Sequence, residues 1–414
     1  MELPLTVPED RLQADWPATR AEGLRRIAAF QPRMGRHYAS QRNYDRGPED
    51  RGNVSVLSPY LRRRLVTEEE VLTATLARHS IGSAEKFVSE VFWRGYFKGW
   101  LEWRPTVWSA YREGVVSDRR ALDSTTARRL REAEEGRTGI DCLDAWAVEL
   151  VETGYLHNHA RMWFASIWIF TLGLPWRLGA DFFLRHLLDG DAASNTLGWR
   201  WVAGLHTVGK NYSARASNIG KYTDGRFSPG PLAGDPEPLS DGGLPPRGSL
   251  RQPAAPDFAE PTALLITEED LAPQSLGLPL DRAVAVATLR LTTRRSPEPV
   301  SEAVAKFDAD ALADAATRAE EAGLPTPARL DHPDPAALVA WAKDSGATRI
   351  ATAFFPVGWV CDWLHQARPE LARAGVIVEE MQRPWDSAVF PHATAGFFKV
   401  RKAIPELLRE HGLL

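Results

Sequence analysis

Cysteine is nearly absent from this chain: only Cys142 and Cys361 occur in 414 residues. Two thiols so far apart cannot form a four-thiolate iron–sulfur site, or a zinc cluster without other ligands. They read as free thiols of a reducing compartment rather than as a disulfide, and no metal site is expected. Long hydrophobic runs are missing too. The longest, Met162 to Trp176, is too short to span a bilayer and reads as a buried helix. The start, Met1-Glu-Leu-Pro4, lacks the basic residues and apolar run of a secretory signal. A soluble, cytoplasmic protein without a membrane partner is expected. No GxGxxG follows a strand-like segment, which excludes the nicotinamide-cofactor fingerprint, and no internal repeat is visible.

What is present is a chain long enough for two cores, with ordinary hydrophobic (44%) and charged (25%) content for a globular protein. The net charge of −4 is unevenly spread. Residues 1–226 carry about 32 basic and 28 acidic side chains, the remainder about 18 and 26. The mildly basic first part can approach a phosphate backbone. Tryptophan is the stronger anomaly, because 11 of 15 precede Gly204. A large aromatic core explains most of them, but such a region also suits stacking on flat heterocycles or electron relay between rings.

Residues 1–226 read as helical: Ala21–Phe30, Glu68–Ala77, Ala84–Trp100, Asp144–Thr153 and Asn158–Thr171 space apolar residues three and four apart. Residues 227–261 turn to Pro, Gly, Ser and Asp and read as an exposed linker. Residues 262–414 alternate short β-branched runs (Ala263–Ile266, Val284–Thr288, Arg349–Ala353, Val376–Glu379) with helices (Val300–Ala322, Pro335–Ser345, Trp359–Ala374). The expected fold is therefore multidomain, α and α/β: a helical domain followed by a Rossmann-like domain with a parallel sheet.

The densest polar constellation is Gly154-Tyr-Leu-His-Asn-His-Ala-Arg-Met162 with Asp189-Gly-Asp-Ala-Ala-Ser-Asn195 and Gly198-Trp-Arg-Trp201. Asn158, Arg161 and Met162 share one helical face. An Arg, an amide and carboxylates from a second segment suit a hydrogen-bond-rich heterocycle such as a flavin. The hydroxyls and amides of Ser55-Val-Leu-Ser58 could meet a pyrophosphate. Each piece has a bland alternative: Asp189-Gly-Asp191 is also a plain turn, and Ser58 before Pro59 a plain helix cap. Composition and spacing alone stop at a helical domain with a buried polar site.

The ordered set Leu57-Ser-Pro-Tyr-Leu61, Glu90-Val-Phe-Trp-Arg-Gly-Tyr-Phe97, Thr153-Gly-Tyr-Leu-His-Asn158, Arg161-Met162, Trp176, Asp189-Gly-Asp191 and Ala193-Ser-Asn-Thr-Leu-Gly-Trp-Arg-Trp201 resembles the catalytic domain of DNA photolyases and cryptochromes. The resemblance implies FAD, with Ser55, Leu57, Ser58 and Arg94 at its phosphates. It implies an Arg161–Asp189 ion pair beside the isoalloxazine ring, Asp191 on its pyrimidine edge, Asn195 facing N5, and Asn158 within reach of the cofactor. It further implies a pocket for a flipped-out pyrimidine dimer, walled by Trp93 and Trp201, packed by Met162 and hydrogen-bonded by Glu90 and Asn158. Trp199 and Trp176 correspond to the first two members of a chain that photoreduces FAD, with Trp103, Trp108 and Trp163 as candidates for the third. The implied activity is that of a deoxyribodipyrimidine photolyase: light-excited reduced FAD donates an electron to a cyclobutane dimer in UV-damaged DNA, which splits and returns it.

The sequence also departs from the family's pattern. Val54, Phe87 and His159 stand where Thr, Trp and Arg are common. The helical domain comes first, whereas the α/β antenna domain leads in the family. Leu338–Arg349, Ala374–Val378 and Gly396–Lys402 resemble later antenna segments, which implies a circular permutation. The family's first-strand Arg-Asp-Leu-Arg is here only Glu268-Glu-Asp-Leu271, so a folate or deazaflavin antenna chromophore stays open. The alternative function is a cryptochrome-like photoreceptor that binds FAD without repair; a monomer is expected in either case.

Overall fold

Periodic apolar positions and well-formed caps explain why residues 20–222 fold as a succession of helices in the computed structural model, which describes residues 16–414. The reading of Met1–Pro4 lies outside the described residues. Thr67 and Glu70 form a reciprocal capping box at the start of Glu68–Leu76. Ser80 caps Ile81–Glu102, the long central helix. Gly154, at φ 67°, ends Asp141–Thr153 with a left-handed residue. The expected helix from Asn158 is α-helical to Ser166 and continues as a π turn over Ile167–Thr171. Asp191 accepts from the backbone N–H of Ala193 and Ser194 and caps Ala192–Val202. Among the described residues no helix is long and apolar enough to cross a membrane.

The last helix of this part, Ala216–Tyr222, and the first strand are separated by a stretch without helix or strand. Its residues are mostly exposed, but the stretch is tied down along the helices. Leu239 N–H donates to Ala203 O (2.9 Å), Gly248 N–H to Trp103 O (2.8 Å), and Asp241 accepts from Arg200 (2.6 Å).

Five parallel strands follow: β1 (Thr262–Thr267), β2 (Val286–Leu289), β3 (Ala328–Leu330), β4 (Arg349–Ala353) and β5 (Ile377–Met381), in the order β3-β2-β1-β4-β5. Leu264 pairs with Val286 on one side and Ala351 on the other, so β1 is the sheet's centre, and it is buried along its whole length. Helices Glu302–Glu321, Pro335–Asp344 and Trp359–Arg373 connect the strands in the manner of a doubly wound sheet. The edge strand β3 has only three residues, too few for periodicity to disclose it.

The two parts meet through buried charge. Arg62 pairs with Glu269 (3.0 Å), Arg63 with Asp308, and Arg64 with Asp386 (2.6 Å) and Asp270 (3.3 Å). Lys98 reaches Glu269 (2.6 Å), and Arg383 braces Asp270 (2.6 Å). All these groups are buried. The acidic residues just after the C-terminal end of β1, together with Asp308 and Asp386, thus receive the Arg62-Arg63-Arg64 run.

Glu268 has no cation within salt-bridge reach in this network. Its carboxylate accepts from Leu291 N–H (3.0 and 3.1 Å), while its backbone carbonyl accepts from Arg62 (3.1 Å). Burial first, and the Asp308 carboxylate second, push its pKa up to about 7. The folded state therefore holds a proton here that the unfolded chain has released, and stability falls as pH rises from the ordinary glutamate range through about 7. Urea melts from pH 5 to 8 are expected to show the parent chain losing about 3 kcal/mol relative to Glu268→Gln. A pH-independent difference would remove the group from the ledger.

Candidate functional site: a two-chambered polar cleft

The long helix Ile81–Glu102 and the helices Asn158–Ser166 and Ala192–Val202 frame a cavity of about 710 Å³, which adjoins a second of about 230 Å³. Ser58, Glu90, Asn158, Arg161 and Asp189 line both. Trp93, Arg94, Met162, Asp191, Asn195, Trp199 and Trp201 face the larger chamber, and Ser55 and Leu57 the smaller. Of the residues singled out from the sequence, Trp176 lines neither chamber, nor do the third-ring candidates Trp103, Trp108 and Trp163.

Arg161 and Asp189 form a two-point pair (3.0 and 2.8 Å). Arg161 also donates through Nε to Leu156 O, and Ser58 donates to Asp189. The Arg161 guanidinium outweighs burial and holds the Asp189 carboxyl below its usual range. In the loop leading to Ser58, Val56 sits at φ 46°. That is an uncommon conformation for a β-branched residue, and it marks this stretch as held in place by its surroundings.

Asp191 has one oxygen committed to its helix cap. The other is buried and makes no hydrogen bond, although Lys98 Nζ lies 2.8 Å away as a counter-charge. Lys98 and Arg62 keep this carboxylate ionised well below the normal range despite burial. Asn195 donates to Ala180 O (2.7 Å), which leaves its side-chain oxygen for the chamber. A carboxylate backed by Lys98, an amide oxygen and a two-point ion pair around one slot suit the imide edge and ring nitrogens of a flavin. Arg94, read from sequence as a phosphate ligand, is held by Glu68 and by Arg62 O, with its Nε unpartnered.

Several contributors were not visible in sequence. Arg42 pairs with Glu90, whose carboxyl is nevertheless raised by burial. His157 hydrogen-bonds Arg42 O (3.0 Å). Burial lowers both His157 and His159 to about 4, so both are neutral at pH 7. His159 stacks on Tyr222 (5.7 Å). Phe87 is explained by packing: its ring lies edge-on to Tyr38 (5.1 Å) and beside Phe30 (5.9 Å). Trp199 lies edge-on to Trp168 (6.2 Å). Trp176 neighbours Tyr111 (5.9 Å), which neighbours Trp108 (5.3 Å). Of the three candidates for a third ring, Trp108 is the one joined to Trp176 in this way.

The larger chamber holds one further surprise. Phe397, from the turn before the last helix (Phe398–Glu410), stacks on Trp93 at 3.9 Å and 12°. No sequence signal links positions so far apart.

Residues 87–224 match the family model described as the FAD binding domain of DNA photolyase. A deoxyribodipyrimidine photo-lyase of Streptomyces griseus is 37% identical over 168 residues, covering 40% of this chain and 36% of the relative. One from Alkalihalophilus pseudofirmus is 31% identical over 195 residues, covering 47% and 40%. The chain thus spans well under half the length of these relatives. Among solved structures, a class III photolyase from Agrobacterium tumefaciens aligns with TM-score 0.40 at 24% identity, covering 50% of this chain and 43% of that one. A Synechocystis cryptochrome aligns with TM-score 0.41 at 23% identity, with the same coverage. Over residues 87–224 the chain thus carries a FAD binding domain of the DNA photolyase type.

Proposed function

We propose that this protein is a light-driven DNA photolyase that splits cyclobutane pyrimidine dimers. The observation that carries the reading is the grouping of Glu90, Trp93, Asn158, Met162 and Trp201 on the same chamber as Arg161, Asp189, Asp191 and Asn195. One set suits a flipped-out pyrimidine dimer, through two indole faces, a thioether, an amide and a carboxyl. The other suits a flavin. The named photo-lyase relatives support the same reading. FAD, when bound, supplies the light absorption and the transferable electron. The chain's own part is to hold the two ligands close in one chamber, with Arg161–Asp189 orienting one and Glu90 and Asn158 the other. Trp199, on the chamber wall, serves as the first ring of an electron path into the protein, and Trp176, with Tyr111 and Trp108 beyond it, as the next. In this reading the α/β part is the family's antenna-type domain, placed after the helical domain by circular permutation, with boundaries at 1–226, 227–261 and 262–414. UV-damaged DNA is the partner.

The test is repair of a thymine-dimer oligonucleotide by photoreduced protein under blue light, with a dark control. Light-dependent recovery of intact thymines is expected, and Trp93→Ala should lose dimer binding while retaining FAD. Bound FAD with no repair would favour a second reading, a photoreceptor without repair activity. One observation speaks for it: Phe397 already occupies a face of Trp93.

A further inference from the structure

The stack of Phe397 on Trp93 is built into the fold. The central helix carries Gly95 and Gly99 where the chain segment Pro384–His392 crosses it. A Cβ at Gly99 would lie 2.8 Å from Phe390 Cα, and one at Gly95 would lie 2.9 Å from Val389. Two bare backbone notches therefore admit the segment. Trp103 then donates to Phe390 O (3.1 Å) and Arg104 to Thr394 O (3.2 Å), fixing the chain up to Thr394. On the far side, Val400, Ile404 and Leu407 bury the last helix.

Between these anchors the hold is lighter, though Lys399 Nζ donates to Thr394 Oγ1 (3.1 Å) and Phe397 packs at the edge of the core. Ala395 and Gly396 are exposed, and nothing lies within 4 Å of where a Gly396 Cβ would be. Phe397 is only half-buried, and its recorded ring contacts are the Trp93 stack and an edge contact with Tyr96 (5.6 Å). Phe397 and Gly396 both line the larger chamber. An aromatic ring stacked on an indole and a nucleobase stacked on an indole are interactions of the same order. An arriving base can therefore take the place of the phenyl ring without a large penalty.

We propose that Phe397 is a gate on the base pocket: it holds one face of Trp93 until a flipped nucleobase displaces it. The inference rests on the reading of the chamber as a base pocket. A pocket whose competent form is only a fraction of the population binds more weakly by that fraction. The closed stack therefore penalises every base, and only a lesion that is already poorly stacked in its duplex overcomes both costs. Undamaged DNA, which must also break good stacking, stays outside the pocket with or without the gate.

The experiment measures equilibrium binding of the FAD-containing protein, in the dark, to a thymine-dimer duplex and to the undamaged duplex of the same sequence. The parent chain is compared with Phe397→Ala and with Phe397→Leu, which retains bulk without a stacking ring. Both variants are expected to bind the dimer duplex about tenfold more tightly, with binding to undamaged duplex unchanged. A parent chain that prefers dimer DNA, with variants equal or weaker, would make Phe397 a fixed wall of the pocket and overturn the gate while leaving the photolyase reading intact. Absence of any dimer preference in all three proteins would overturn the base-pocket reading and the gate together.

Discussion

Arg161→Met protein is expected to leave purification without its yellow flavin and with its unfolding free energy lowered by about 3–5 kcal/mol. Asp189 is 8% exposed, and Arg161 supplies two of its hydrogen bonds, at 3.0 and 2.8 Å. Removing the guanidinium leaves a buried carboxylate with the Ser58 hydroxyl and the more distant Arg295 charge, which do not replace a two-point ion pair. Lys at 161 restores charge but not the planar fork, so Arg161→Lys should fall between. The pH dependence has a definite sign. Because the folded Asp189 carboxyl is depressed, its contribution to stability is present above the ordinary aspartate range and is lost as pH falls through the lower folded value. The difference between parent and Arg161→Met should therefore persist at neutral pH and narrow only in acid. Urea unfolding of flavin-free protein separates this effect from cofactor loss. Retained flavin and an unfolding free energy within about 0.5 kcal/mol of the parent would show that the pair does not wall the cofactor slot.

The second large effect concerns the junction of the two parts. Asp308, on the helix Glu302–Glu321, is the acidic centre among Arg62, Arg63 and Arg295. Arg63 donates to it, and Thr292 adds a hydrogen bond at 2.7 Å. All three arginines are buried. Even with Asp308 present, burial pushes Arg295 down to about 9 and lowers Arg63 as well. Asp308→Asn keeps the shape but removes the only carboxylate among the described residues that Arg63 pairs with, leaving like charges crowded out of water. A loss of about 3–5 kcal/mol is expected, with earlier proteolysis in residues 227–261 as the parts separate. If the loss is under about 1 kcal/mol, apolar packing rather than charge holds the junction.

Both predictions rest on contacts that differ in how readable they were. The Arg161–Asp189 pair was anticipated because the ordered segments around it resemble a known catalytic domain, and its members stand on elements whose ends carry local signals. The helix from Asn158 and the cap at Asp191 are written in short-range sequence. The Arg62-Arg63-Arg64 run carried no such signal. A basic run is ordinarily a solvated face; here it is buried, because partners at positions 268–270, 308 and 386 fold over it. Glu268-Glu-Asp-Leu271 was noted only as a departure from a family segment, yet its carboxylates and backbone form the other half of that junction.

By itself, the sequence determined the helical and α/β segments, the four longer strands, the exclusion of a four-thiolate metal centre, and the residue types that gather around the cleft. These depend on periodicity, capping and composition, which act over a few residues. Only the tertiary structure decided that Lys98 stands against Asp191, that Arg42 restrains Glu90, that Tyr111 and Trp108 lie behind Trp176, and that Phe397 closes on Trp93. Each of these joins residues from separate elements, and the register of such a contact is set by how whole helices pack. In the last case, two glycines on the central helix allow a distant segment to approach at backbone distance, and no pattern within either segment records that meeting.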